Sequence, residues 1–308
     1  MITTTTGFAA TTQGRLWWKR LDPGNDAVPL VLLHGGPGMA SWYLEPLEAL
    51  ATDRPVVLYD QSGCGRSAAP ADEEHYTLPA FVEDLHVLTS TLELPRFILL
   101  GHSWGGMLAL AYAAEHPDRV ASLVLSSPLV DVATWCADAA RLVAQLPPAL
   151  RHAVEHPRED PDAYDVAERE FYRRHFCRLD PWPPPLQRTM DELGTAAYET
   201  MWGPNEFTAT GNLLGQDLTD IARDLQVPNL WLCGEHDEAR PATIRRFAES
   251  NPLGRFTAFA GGSHCVHLEQ STEYVETVRR FLADVPPDEG RRPSRRANHE
   301  PAAGEIPR

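Results

Sequence analysis

Five short segments of this 308-residue chain hold residue types that could act together in catalysis. Gly101-His102-Ser103-Trp104-Gly105-Gly106 follows the apolar run 96–101 and opens the helical pattern 104–115. A sharp strand-to-helix turn would lift the Ser103 hydroxyl above a sheet edge, and the neighbouring glycines let the two backbones pass. The helix start adds unpaired N–H groups and the positive end of the helix dipole. A bare G-x-S-x-G arises by chance in roughly one chain of this length in ten. The strand–turn–helix setting is therefore what marks Ser103 as a nucleophile.

Such a serine needs donors for the oxyanion it creates and a base for its proton. His34-Gly35-Gly36-Pro37-Gly38 ends the run 28–34, and glycine there lets backbone N–H groups approach a tetrahedral oxygen. One donor is then the N–H of Trp104, the residue after the nucleophile. The other is Gly35 or Gly36, with Gly36 preferred, and His34 serves as a brace for the loop. The base should come last in the order serine, acid, histidine, on loops after the final strands. Cys233-Gly-Glu235-His236-Asp237-Glu238 ends the run 228–234, and Gly261-Gly-Ser-His264-Cys-Val-His267 ends the run 254–260. Asp237 and His264 fit best. Glu235 belongs to the loop base, His236 cannot easily fold back onto its neighbour, and His267 falls where the last helical segment begins. Asp60 and the loop 61–67 are taken as support for the floor of the site.

These residues meet only if one sheet collects them. The runs 28–34, 55–60, 96–101, 120–126, 228–234 and 254–260 are short, rich in Val, Leu and Ile, and bounded by Gly, Pro or Asp. They suit strands buried on both faces of a parallel sheet. Amphipathic stretches at 41–51, 77–93, 104–115, 240–250 and 271–283 alternate with them, which predicts a doubly wound, mostly parallel α/β sheet. Segment 13–20 is expected to start that sheet at its edge. Residues 132–218 break the rhythm with helical stretches near 133–146, 160–178 and 186–200, punctuated by Pro147-Pro148 and Pro181-Trp-Pro-Pro-Pro185. The expected organisation is a core in two parts, 1–131 and 219–285, and a helical cap at 132–218 over the carboxyl edge of the sheet. Residues 286–308 have almost nothing to bury and are expected to form a disordered tail.

Composition narrows the partners. With 43 acidic and 27 basic residues the net charge is −16, which disfavours nucleic acid and suits a cationic substrate. No run approaches the roughly 18–20 apolar residues of a membrane span, and the N-terminus lacks the basic start and apolar middle of a secretory signal. Five scattered cysteines without a C-x-x-C pair suggest reduced thiols rather than disulfides or a metal site, hence a cytoplasmic protein. The chemistry needs no metal or organic cofactor.

Taken together, HGGPG (34–38), DQSGCGRS (60–67), GHSWGG (101–106), MWGPNEF (201–207), GEHDE (234–238) and GGSH (261–264) resemble the α/β-hydrolase-fold proline iminopeptidases. The resemblance runs from about residue 13 to 283. It implies a serine aminopeptidase that releases an N-terminal residue, proline favoured, from peptides or aminoacyl amides through an acyl-enzyme. It also implies that Glu206 and Glu238 bind the free α-amino group, a task suited to two carboxylates in a partly desolvated pocket. Trp104, Trp135, Trp182 and Trp202 are candidates to wall that pocket. His102, a position often Gln in such relatives, either leaves the pocket floor unchanged or alters it. The alternatives are an amino-acid amidase and an esterase or lactonase of the same fold, in which the two glutamates are incidental.

Overall fold

The computed structural model describes residues 1–285; the segment 286–308, expected to be a disordered tail, lies outside the described residues. Eight strands form one sheet: β1 (Thr3–Thr11), β2 (Gly14–Asp22), β3 (Leu30–Leu33), β4 (Val56–Tyr59), β5 (Phe97–His102), β6 (Val120–Ser126), β7 (Asn229–Gly234) and β8 (Gly254–Phe259). Their order is β1-β2-β4-β3-β5-β6-β7-β8. β1, β2 and β4 pair antiparallel. Every pairing from β4 through β8 is parallel. The sheet is the mostly parallel, doubly wound one that the apolar runs predict.

One edge differs from expectation. Residues 14–20 of segment 13–20 lie in β2, and the outermost strand is β1, built from the threonine-rich stretch Thr3–Thr11. Its first four residues are exposed. A polar strand of β-branched residues can cover a sheet edge without burying an apolar face, so it has no hydrophobic signal to be read.

Helices α1 (Leu78–Thr91) and α2 (Trp104–Glu115) follow β4 and β5. The stretch Ser41–Thr52 is a 3-10 helix rather than an α-helix, with Pro46 inside it. α2 is buried along residues 104–113 and so carries no polar stripe over that length. After β6 come α3 (Val132–Val143), α4 (Pro148–Glu155), α5 (Pro161–His175), α6 (Pro184–Asp191), α7 (Thr195–Met201) and α8 (Thr219–Asp224). The expected helix 186–200 is two helices. α6 stops at Asp191, and Gly194 caps α7 where a Cβ would lie 2.2 Å from the Gly63 carbonyl oxygen. Pro148, Pro161 and Pro184 start helices instead of merely separating them, because a first-turn N–H is not needed inside the helix. Asp131 and Asp217 pair as an isolated bridge, so the helical excursion leaves and rejoins the sheet at one place. The chain closes with α9 (Pro241–Ser250), α10 (Val266–Glu269) and α11 (Ser271–Ala283).

Parallel strands all point the same way. The loops after β3, β4, β5, β6, β7 and β8 therefore gather at one edge, and all the motifs quoted above except MWGPNEF lie on them or span the strand end or helix start beside them.

Candidate active site

Ser103 sits between β5 and α2 with φ 56° and ψ −122°. A serine in this region is strained by roughly 1–3 kcal/mol, and the surroundings must hold it there. Its N–H donates to the Ser126 carbonyl (3.0 Å), and its own carbonyl accepts from Gly106 and Leu129. The neighbouring glycines are steric requirements: a Cβ on Gly101 would sit 2.2 Å from the Gly105 carbonyl oxygen, and one on Gly105 would sit 2.2 Å from that of Leu33. Ser103 is only 6 % exposed.

The glycine loop lies beside it, since a Cβ on Gly35 would stand 3.1 Å from Ser103 Cβ. The Gly35 N–H is already engaged, donating to the Tyr43 hydroxyl at 2.7 Å. The N–H groups of Gly36 and Trp104 find no acceptor among the described residues. Of the two loop glycines, Gly36, with φ 108°, is thus the one whose N–H is unengaged among the described residues. His34 braces the loop. Gln61 N–H donates to its Nε2 (2.8 Å), the Gln61 amide donates to its carbonyl (2.8 Å), and its Nδ1 donates to the Gly35 carbonyl (3.0 Å). Burial holds the ring neutral, with its pKa lowered to about 4. Gln61 also accepts the Trp104 indole N–H at 2.8 Å. The Trp104 ring is fully buried and packs edge-on against Phe81, away from the cavity described below.

Asp60 is fully buried and accepts from the Ser41 N–H and hydroxyl and, through three hydrogen bonds, from Arg66. Burial by itself would raise its pKa, but the Arg66 contacts outweigh that and lower it.

On the far strands, His264 Nδ1 donates to Asp237 Oδ1 at 2.8 Å, with both side chains almost wholly buried. Asp237 also accepts from Ser127 Oγ (2.5 Å), Gly234 N–H (3.2 Å) and Ala239 N–H (2.8 Å). Ser127, at the end of β6 with φ 49°, is a partner that no motif had suggested. The rejected competitors point elsewhere. Glu235 is exposed and accepts the Gly261 N–H, His236 is partly exposed, and His267 is buried beside Tyr43 and Tyr274. The loop bearing His264 is tied to the end of α5, whose His175 carbonyl accepts the His264 N–H at 3.0 Å. The rings of Phe176 and Trp135 lie 5.7 and 5.8 Å from that of His264, and Trp202 stands behind Trp135 at 6.2 Å. Trp182 packs on Phe176, one ring further out.

Glu238 is the odd residue here. It is 2 % exposed, and neither carboxyl oxygen has a hydrogen-bond partner among the described residues. Oε1 lies 3.6 Å from His264 Nε2, the nitrogen that faces away from Asp237. Burial raises its pKa well above the usual carboxylate range, with Glu206 and Asp237 pushing the same way. Glu206 accepts the Tyr198 hydroxyl at 2.9 Å, and its carbonyl accepts the Trp135 indole N–H. Its pKa is raised by burial, against the pull of His264. A cavity of about 220 Å³, lined by Met39, Glu168, Tyr172, Phe176, Tyr198 and Glu206 among others, opens beside it. A larger groove of about 360 Å³ between α2 and α8 contains none of these residues.

The family model described as alpha/beta hydrolase fold matches residues 28–271. The proline iminopeptidase of Heyndrickxia coagulans is 36% identical over 286 residues, 91% of this chain and 99% of that protein. That of Lactobacillus delbrueckii subsp. bulgaricus is 38% identical over 267 residues, covering 83% and 90%. The crystal structure of the Mycobacterium smegmatis proline iminopeptidase superposes with a TM-score of 0.85 at 36% identity, over 91% of this chain and 98% of that one. The chain is an α/β hydrolase and, within that fold, belongs to the proline iminopeptidase family. Among the described residues, no helix is long and apolar enough to cross a membrane.

Proposed function

We propose that this chain is a serine aminopeptidase that releases the N-terminal residue, proline favoured, from peptides or aminoacyl amides. In this reading the Ser103 oxygen bonds to the scissile carbonyl carbon while its proton passes to His264 Nε2. The oxyanion is held by the Gly36 and Trp104 N–H groups. Collapse breaks the C–N bond, and His264 returns the proton to the leaving amine. Water, activated by the same imidazole, then frees the acyl group. Asp237 fixes the Nδ1–H tautomer and stabilises the imidazolium. Segment 132–218 serves as the cap, with Glu206 on it and Glu238 beneath it receiving the ammonium group. The five unpaired cysteines fit a reducing, cytoplasmic setting.

The observation that carries this reading is Glu238: a buried carboxyl with both oxygens unpaired, 3.6 Å from the base. A group so placed is costly unless a cationic donor arrives to satisfy it. An N-terminal ammonium bound there brings the first carbonyl to Ser103 and no later one. The family relationship supports the same substrate class. Turnover of prolyl arylamide beside its N-acetyl twin tests it. Acetylation should abolish cleavage, and equal turnover of the two would overturn the aminopeptidase reading. A fluorophosphonate probe should label the protein and fail on Ser103→Ala, and labelling that survives the substitution would remove Ser103 as nucleophile.

A further inference from the structure

The residue before the nucleophile is bonded at both ring nitrogens. His102 is 1 % exposed; its Nε2 lies 3.0 Å from the His264 carbonyl oxygen and its Nδ1 lies 2.9 Å from the Tyr43 hydroxyl. A carbonyl only accepts, so Nε2 carries the hydrogen. Nδ1 of a neutral ring is then an acceptor, and Tyr43 must donate to it. The same hydroxyl oxygen receives the Gly35 N–H at 2.7 Å. One directed chain results: Gly35 N–H to Tyr43, Tyr43 O–H to His102 Nδ1, and His102 Nε2–H to the His264 carbonyl.

Each end of this chain is a part of the proposed machinery. Its first link consumes the Gly35 N–H, leaves the Gly36 N–H free, and fixes the oxyanion loop. Its last link fixes the backbone of the proposed base. The middle residue is covalently next to Ser103. We propose that His102 is a positioning residue that keeps the oxyanion loop and the base in register with the nucleophile. Neutrality is built in: burial and the neighbouring His264 and His267 rings, centred 4.6 and 4.9 Å away, keep the pKa of His102 far down. A charged ring would reverse the Tyr43 link and oppose the imidazolium forming on His264.

This inference rests on the serine-hydrolase chemistry proposed above, not on recognition of the amino group. A neutral aryl ester is therefore assayed beside the aminoacyl arylamide. His102→Leu and Tyr43→Phe should each lower kcat on both substrates by about tenfold to a hundredfold while changing KM less than about threefold. His102→Gln offers an amide oxygen to Tyr43 and an amide N–H to the His264 carbonyl, so it should recover kcat to within about threefold of the parent. Because both single changes break one chain, the double variant should cost little more than the worse single one. Wild-type kcat in Tyr43→Phe would overturn the proposal, as would additive losses in the double variant or a His102→Gln enzyme as slow as His102→Leu at equal thermal midpoint. Should His102→Leu fail to fold, Tyr43→Phe and His102→Gln decide alone. If the N-acetyl test fails while these losses hold on the ester, only the amino-group reading falls.

Discussion

The sheet edge and the helical side of the site treat their carboxylates in opposite ways. Asp237, on the loop after β7, receives four hydrogen bonds from His264, Ser127, Gly234 and Ala239. Among the described residues Glu238, the next residue, faces the helical side and receives none, and the Glu206 carboxyl within that side accepts from the Tyr198 hydroxyl alone. The difference separates a group satisfied by folding from one that folding leaves without donors, and in the proposed reading the second is the one that meets the ligand. A carboxylate saturated by donors is held still, as the orienting partner of the proposed base must be. An unsaturated buried one stores a desolvation cost that a cation can relieve.

Breaking the finished half should cost most. Asp237→Asn retains the shape of the side chain but disturbs the tautomer of His264, and kcat on every substrate should fall by about 10⁴. Steady-state kinetics with an arylamide and an ester checks this, and a loss confined to amines would contradict the division of labour.

The unfinished half should answer selectively. Glu206→Gln and Glu238→Gln should each weaken transition-state binding of aminoacyl substrates by about 1–3 kcal/mol and spare neutral esters. Equal damage to both substrate types would mean that the residue is structural.

Stability against pH sharpens the same contrast. Folded Glu238 keeps its proton to higher pH than the unfolded chain does, because burial raises its pKa. Its contribution to folding is therefore present at low pH and lost as pH climbs from the ordinary carboxylate range through the raised value. Denaturant titrations should show Glu238→Gln close to the parent near pH 4 and more stable than it at pH 8. A constant gap between the two would show that the carboxyl is not desolvated in solution.

The smallest effect concerns how the two regions are joined. Trp42 of the core is sandwiched by the Arg66 and Arg188 guanidinium groups at 3.5 and 3.4 Å, and its indole N–H donates to Glu192 beyond α6. Arg188→Ala should lower stability by about 0.5–1 kcal/mol, read from denaturant midpoints, with kcat unchanged. A larger fall in kcat than in stability would show that this stack also sets the geometry of the site.

Much of this was legible beforehand, for reasons that differ by residue. The central strands announced themselves because a parallel strand buried on both faces must be an unbroken apolar run. β1 did not, since its threonines need only β-propensity. The break at Gly194 was missed because Leu193-Gly194 can interrupt or continue a helix, and the choice is made by the Gly63 backbone pressed against it. Tyr43 and Ser127 carried no motif; their importance comes from partners 59 and 110 residues away.

The sequence by itself determined which residue types are available and in what chain order: a serine between glycines, then an acid, then a histidine, each just past an apolar run. Strand direction makes that order spatial, because parallel strands deliver their following loops to one edge. What only the tertiary structure decided is which polar atoms are satisfied. It gave the Gly35 N–H to Tyr43 and left that of Gly36 free, buried the Trp104 ring in the core, and surrounded Asp237 with donors while leaving Glu238 bare. Hydrogen bonding and desolvation act over a few ångströms between residues far apart in the chain, so no local pattern encodes them.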